Sequence, residues 1–208
     1  MAFSPASRIL AAIACALTLA RAQGADSLSS KLPLTVDAAS SEVDYKSNTI
    51  VLRDVTLSQG DVTVTAQRCE AVGGLNADDS RWTLTGNVRM HIEQRGNLSS
   101  DRAVVTFRNK RIDTAVATGA PAQFEQNEAA TGRVAQGHAR EIEYAVNKGT
   151  VRLSQDAWIS SQGREITGPL LVYDIRAQHL EAESTPDSGQ RVHIKIVPPT
   201  DKTPGSPQ

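Results

Sequence analysis

The 87 residues between Pro33 and Pro121 contain no proline, so every backbone N–H in that stretch is free to join a hydrogen-bonded ladder. Through the same stretch apolar side chains recur at every second position. The pattern is plainest in WTLTGNVRMHIEQ, residues 82 to 94. Trp82, Leu84, Val88, Met90 and Ile92 hold the even positions with Gly86 among them, while Thr83, Thr85, Asn87, Arg89, His91 and Glu93 hold the odd ones. A period of two places successive side chains on opposite faces of a strand, which gives one apolar face and one polar face.

Shorter segments with the same period follow along the chain: VDY at Val43 to Tyr45, VTV at Val62 to Val64, IEY at Ile142 to Tyr144, VRL at Val151 to Leu153 and VHIKI at Val192 to Ile196. The Ala-rich candidate for a helix, EQNEAATGRVAQGHA, is interrupted by Gly132 and Gly137 and has no helical apolar stripe. The chain is therefore read as all-β. Turns fall at 59 to 61, 72 to 79, 95 to 97, 108 to 110 and 147 to 149, where Gly, Asn and Asp tolerate tight backbone angles, and such short connections imply antiparallel neighbours. A hairpin-like unit also repeats, starting at Asp54, Gly86, Gly119 and Asp156, with intervals of 32, 33 and 37 residues. Repeats of this size are stacked supersecondary units, none of which buries its apolar face alone.

The termini are of a different kind. Arg8, the apolar run Ile9 to Leu19 and the small-x-small pattern Ala20, Arg21, Ala22 form a secretory signal peptide over residues 1–22, with cleavage expected after Ala22. A polar N-terminal segment spans 23–31, the strand-rich domain 32–197, and a Pro/Gly/Ser-rich tail 198–208. Removing the signal takes away Arg8 and Arg21 but no acid, leaving 20 Lys plus Arg against 23 Asp plus Glu, a net charge of −3 that argues against a nucleic-acid partner. Cys69 is then the remaining cysteine, which excludes an intramolecular disulfide and reads as a small buried apolar residue.

No catalytic constellation emerges. His91, His138, His179 and His193 share no metal-ligand spacing, no serine lies in GxSxG, and Glu141 and Glu143 alternate with Ile142 and Tyr144 as the polar face of a strand. The expectation is a protein that is not an enzyme, with no metal and no cofactor. The tip bearing Arg108, Lys110 and Arg111 offers either a contact for lipid phosphates or a solvated turn. Alternation by itself fits a face packed against a second sheet, as in a β-sandwich of the cell envelope, as well as a face that receives a ligand.

The succession LTGNVRM (84 to 90), GAPAQFEQ (119 to 126), ITGPLLVYD (166 to 174) and GQRVHIKIVPP (189 to 199), together with the signal and the length, resembles the OstA-like family of periplasmic lipopolysaccharide transport proteins. The resemblance spans Leu32 to Pro199. It implies an open, slightly twisted antiparallel β-jellyroll built from stacked hairpin repeats, in the periplasm, whose apolar interior shields the acyl chains of lipid A. It also implies end-to-end self-association and a bridge between an LptC-type inner-membrane protein and an LptD-type outer-membrane protein. An LptC-like membrane-tethered relay is the related alternative, and the Ala20 to Ala22 cleavage site argues against it.

Under that resemblance the apolar faces line the lipid trough. From the first two repeats these are Leu57, Val64, Leu84, Val88, Met90 and Ile92, followed by Val105 and Phe107. From the later ones they are Phe124, Ile142, Tyr144, Ile159 and Ile166. The sheet ends in segments able to pair with a foreign strand, with Val36 and Val43 at one end and Val192, Ile194 and Ile196 at the other. Arg191, His193 and Lys195 could equally be charges that protect this edge.

Overall fold

The computed structural model describes residues 32–196 apart from 76, 129–132, 162, 175–176, 178 and 185–190, so the signal, the polar segment and the tail lie outside the described residues. The described chain is a single antiparallel sheet of twelve strands without a helix. In chain order these are β1 (Thr35–Asp37), β2 (Ser40–Asp44), β3 (Thr49–Gln59), β4 (Val62–Val72), β5 (Ser80–Ile92) and β6 (Gly96–Arg108). They continue as β7 (Arg111–Glu128), β8 (Arg133–Ala145), β9 (Thr150–Ser161), β10 (Arg164–Asp174), β11 (His179–Glu183) and β12 (His193–Ile196). From β3 to β10 each strand pairs with the next in sequence, as short hairpin turns require.

The turns form where the sequence allows them. Asn109 and Lys110, between β6 and β7, both take left-handed angles (φ 52° and 60°), the geometry of a two-residue turn whose twist suits the flanking strands. Between β3 and β4 the two-residue connection Gly60–Asp61 begins with Gly60 at φ 61°.

A line of irregularities crosses the sheet. In β5 the register shifts between Thr85 and Val88, in β6 between Ser99 and Arg102, in β7 between Thr118 and Ala122, in β8 between His138 and Glu141, and in β10 between Gly168 and Leu170. On β3 Asp54 lies on the same line at φ 49°, and on β9 Gln155 and Asp156 at 63° and 59°. These are β-bulges, each of which bends its strand and sharpens its twist. Aligned across neighbours, they crease the whole sheet into two limbs. Pro121 and Pro169 sit inside central strands at these same unpaired positions, where a missing N–H disrupts no ladder bond. The four repeat starts read from sequence, Asp54, Gly86, Gly119 and Asp156, fall on the crease of β3, β5, β7 and β9.

Residues of both limbs share the core. One cluster joins Leu52, Cys69, Ala71, Trp82, Leu84 and Phe107 from one limb to Leu57, Ala66 and Val88 from the other. A second joins Ala117, Ile142, Leu153 and Leu171 to Ala122, Ala139, Ala157 and Ile159. Full burial of a side chain such as Leu153 or Leu171 contributes about 1.5–3 kcal/mol. Among the described residues Cys69 is a free thiol and no disulfide is present, so this shared packing and the ladders hold the fold.

Candidate functional site

Register converts the sequence alternation into continuous apolar rows on the inner face. Across one limb run Leu52, Cys69, Leu84, Ala103, Ala117, Ile142, Leu153, Leu171 and Ala182, each directly opposite the next. Beside them run Val43, Ile50, Ala71, Trp82, Val105, Ala115, Tyr144, Val151, Tyr173 and Leu180. Across the other limb run Val36, Leu57, Val64, Met90, Leu98, Phe124, Gly137, Ile159, Ile166 and Ile194. The rows therefore run perpendicular to the strands, from one edge of the sheet to the other.

Burial is complete beside the crease and mixed beyond it, where Trp82, Phe107 and Tyr173 stay buried among half-buried neighbours. Next to the crease lie Val55, Ala66, Val88, Ala122, Ala139 and Ala157, all buried and mostly alanine, so the limbs close on one another there. Farther out, Val64, Met90, Leu98, Phe124 and Ile166 on one limb are half-buried, and so are Val105, Tyr144, Val151 and Leu180 on the other. The interior is thus a furrow, closed along its floor and open along its rim.

All thirteen residues expected to line a trough point to this inner face. Leu57, Leu84, Val88, Phe107, Ile142 and Ile159 are buried, Phe107 at the far end of β6 rather than beside the crease; Val88 is only 1% exposed. Val64, Met90, Ile92, Val105, Phe124, Tyr144 and Ile166 lie toward the open rim. Sequence reasoning passed over Leu98, Ala115, Val151 and Leu180, which stand in the same rows; their signal was the pairing register, which no single segment displays. Phe107 packs at 4.7 Å from Trp82, whose Nε1 donates to the Gly74 carbonyl.

At the ends, β1 and β2 both pair with β3, on its two halves, and β11 and β12 both pair with β10 in the same way. Val36 and Val43 begin two of the rows, and Ile194 and Ile196 face inward opposite Ile166 and Arg164, with 59% and 66% of their surfaces exposed. Val192 precedes β12 and lies near Gly168. Lys195 reaches Glu165 at 3.5 Å.

The outer face carries most of the charged side chains, some of them in ion pairs. At the β6–β7 tip Arg108 pairs with Asp113 at 3.2 Å and Lys110 with Asp78 at 3.4 Å, so this basic cluster is bound into its own turns. Cys69 is wholly buried, and burial, reinforced by the Glu70 carboxylate, pushes its thiol up to about 11. Among the described residues no group of three or more His, Cys, Asp and Glu could hold a metal ion, and no helix is long and apolar enough to cross a membrane. What the arrangement offers chemically is a long water-excluding surface without directional contacts.

Comparison with known proteins bears on this geometry. The lipopolysaccharide export system protein LptA of Escherichia coli K12 is 32% identical over 120 residues, which are 56% of this chain and 62% of that protein; the Shigella flexneri LptA matches equally. The chain thus spans just under two thirds of the curated relatives it matches. The solved structure of Pseudomonas aeruginosa LptH, the LptA-homologous periplasmic component of a lipopolysaccharide transport device, superposes with a TM-score of 0.46 at 23% identity, covering 84% of this chain and 99% of that one. Residues 71–179, more than half of the chain and most of the inner rows, match the family model described as LptA/(LptD N-terminal domain) LPS transport protein, and to that family the chain belongs.

Proposed function

We propose that the protein is a non-enzymatic periplasmic carrier of lipopolysaccharide, in which the furrow receives the acyl chains of lipid A while the saccharide remains in water. One observation carries this reading: the apolar rows continue across the whole sheet with a half-buried rim, where a closed sandwich would bury both faces. Each methylene removed from water contributes about 0.8 kcal/mol, so one long acyl chain gains on the order of ten kcal/mol. A surface of this kind meets that demand by shape and apolarity alone. The curated relatives are named for lipopolysaccharide export, which supports the choice of cargo.

The same reading makes the protein one link of a bridge. Rows that reach both edges would continue into any strand added there by β-augmentation, from a second copy, an LptC-type inner-membrane protein or an LptD-type outer-membrane protein. Exposed Ile194, Ile196 and Val43 support that arrangement. Replacing Ile194 with Pro should leave a folded monomer that no longer associates end to end.

The lipid path is tested by photocrosslinking in cells. A photoreactive residue at Met90 or Phe124, on the rim, should give lipopolysaccharide adducts, whereas one at Arg89 or Arg152, on the outer face, should not. Adducts at all four positions or at none, in folded protein, would refute the reading.

A further inference from the structure

The outer face carries a depression that the carrier role does not use. It spans β6 to β9 just beyond the crease, encloses about 280 Å³, and is lined by Asn97, Ser99, Gln123, Glu125, Gln136, His138 and Trp158, with the backbone of Phe124 and Gly137 as its base. Two transverse outer rows supply these side chains. Ser99, Gln123, His138 and Trp158 are successive register partners, as are Asn97, Glu125 and Gln136.

The chemistry of this lining is specific. The rings of His138 and Trp158 are stacked, 5.1 Å between centroids and 22° between planes, and this aromatic pair forms one side of the depression. Facing it are three carboxamides, which both donate and accept, a hydroxyl and one carboxylate. The His91 ring nitrogen Nδ1 shares a 2.6 Å hydrogen bond with Asn97 Oδ1, which fixes that amide. Among the described residues no other side chain bonds to Gln123, Glu125 or Gln136, so their polar groups are available to a ligand. No Lys or Arg lines the cavity, and Glu125 opposes an anion.

We propose that this depression is a saccharide subsite, holding one neutral or amino-substituted hexopyranose with its C–H face against His138 and Trp158 and its hydroxyls on Asn97, Gln123, Glu125 and Gln136. A pyranose is an apolar disc edged with groups that both donate and accept, which the lining complements on both counts. The volume is near the lower bound of small-ligand pockets, on the order of 300 Å³, and suits a single ring. The base of a nucleotide would also stack, but the nucleotide's phosphate finds no Lys or Arg among the lining residues. The sugar could come from the saccharide of a lipopolysaccharide or from the glycan of the cell wall, which present the same ring. Because the site lies on the face opposite the furrow, it stands or falls apart from the lipid reading.

The protein has two tryptophans, Trp82 at 6% exposure in the core and Trp158 in the depression, so incorporation of 5-fluorotryptophan yields two fluorine resonances, assigned with Trp158→Phe. Titration with methyl β-glucoside, N-acetylglucosamine and glucosamine should move the Trp158 resonance saturably, with a Kd of about 1–10 mM, while Trp82 stays in place. Gln123→Ala and Gln136→Ala should each weaken binding about five-fold, the loss of one neutral hydrogen bond, with an unchanged urea midpoint. Deacylated lipopolysaccharide and soluble peptidoglycan fragments then distinguish the source by which binds more tightly. No saturable shift with any probe, equal movement of both resonances, or unaltered affinity in both glutamine variants would overturn the proposal.

Discussion

Gly137 stands in the furrow row between Phe124 and Ile159, and its replacement by Ala tests how closely that row is packed. A Cβ there would lie 2.6 and 2.8 Å from Phe124 Cε1 and Cζ, and 2.8 Å from the Trp158 carbonyl oxygen. Carbon atoms in contact sit about 3.5–4.0 Å apart, so the overlap approaches 1 Å. Phe124 is half-buried and can swing toward the rim, but the Trp158 carbonyl belongs to β9, which is paired on both sides, and can retreat only by loosening a ladder. Overpacking of this kind destabilises by about 1–3 kcal/mol. With a urea slope of about 1–3 kcal/mol per molar, the unfolding midpoint of Gly137→Ala should fall by roughly 1 M. The ring and the carbonyl are separable, because Phe124→Leu should cost less than about 1.5 kcal/mol alone and recover part, but not all, of the loss in the double variant. An unchanged midpoint in Gly137→Ala would refute the close packing of this row. Full recovery in the double variant would assign the whole effect to the ring.

Three further outcomes follow from particular residues. The folded Cys69 thiol sits well above its ordinary value of 9.0, so its contribution to stability is complete below pH 9 and is lost as pH rises toward about 11; alkaline denaturation of wild type compared with Cys69→Ala should show this window, and Cys69 should resist thiol reagents at pH 8 until urea unfolds the chain. Asn87 holds φ 51° at the crease, so Asn87→Ala should destabilise by about 1 kcal/mol while Asn87→Gly is close to neutral by thermal unfolding. Leu171→Ala removes a fully buried side chain from the second cluster and should cost about 2–5 kcal/mol in urea unfolding, against well under 1 kcal/mol for the exposed Arg89→Ala.

The all-β class and the hairpin order were legible because both follow from local rules, the period of two and the turn residues. The crease was half legible. WTLTGNVRMHI reads cleanly because its irregularity contains two left-handed residues, Gly86 and Asn87, so Leu84 and Val88 keep the same parity and the same face. Gln155 and Asp156 do the same for Leu153 and Ala157 in β9. In β3 the parity flips, since Leu52 and Leu57 are an odd number apart yet share a core cluster, and the same holds for Cys69 with Ala66 in β4 and for Ala117 with Ala122 in β7. A straight reading of alternation assigns such pairs to opposite faces and cannot see that the sheet folds over. The repeat of 32 to 37 residues was the visible trace of the crease, because each unit begins where an odd-numbered strand bends. The outer depression had no such trace. Asn97, Gln123, Gln136 and Trp158 come from four strands and meet only through register.

The geometry also bears on why a creased sheet would serve where a pocket would not. A pocket matches one cargo in one pose, and release requires the loss of all its contacts together. In the furrow the floor is set by small residues along the crease, and the rim carries Met90, Leu98 and Phe124 on adjacent strands about 4.8 Å apart, with Ile166 three strands farther on beyond Gly137 and Ile159. An acyl chain lying along such a row loses one set of contacts and gains an equivalent set with each strand it passes, so its burial is nearly constant along the path. That constancy fails at the edges, where Ile194 and Ile196 stand exposed at one end while Val36 and Val43 begin rows at the other. A strand added at either edge would restore the row, so under the proposed function association and passage would be two consequences of one pattern. Blocking an edge with Ile194→Pro should therefore stop both association and transfer between molecules while leaving the capture of lipid by a single molecule intact, and transfer that persists in a folded, non-associating Ile194→Pro variant would separate the two.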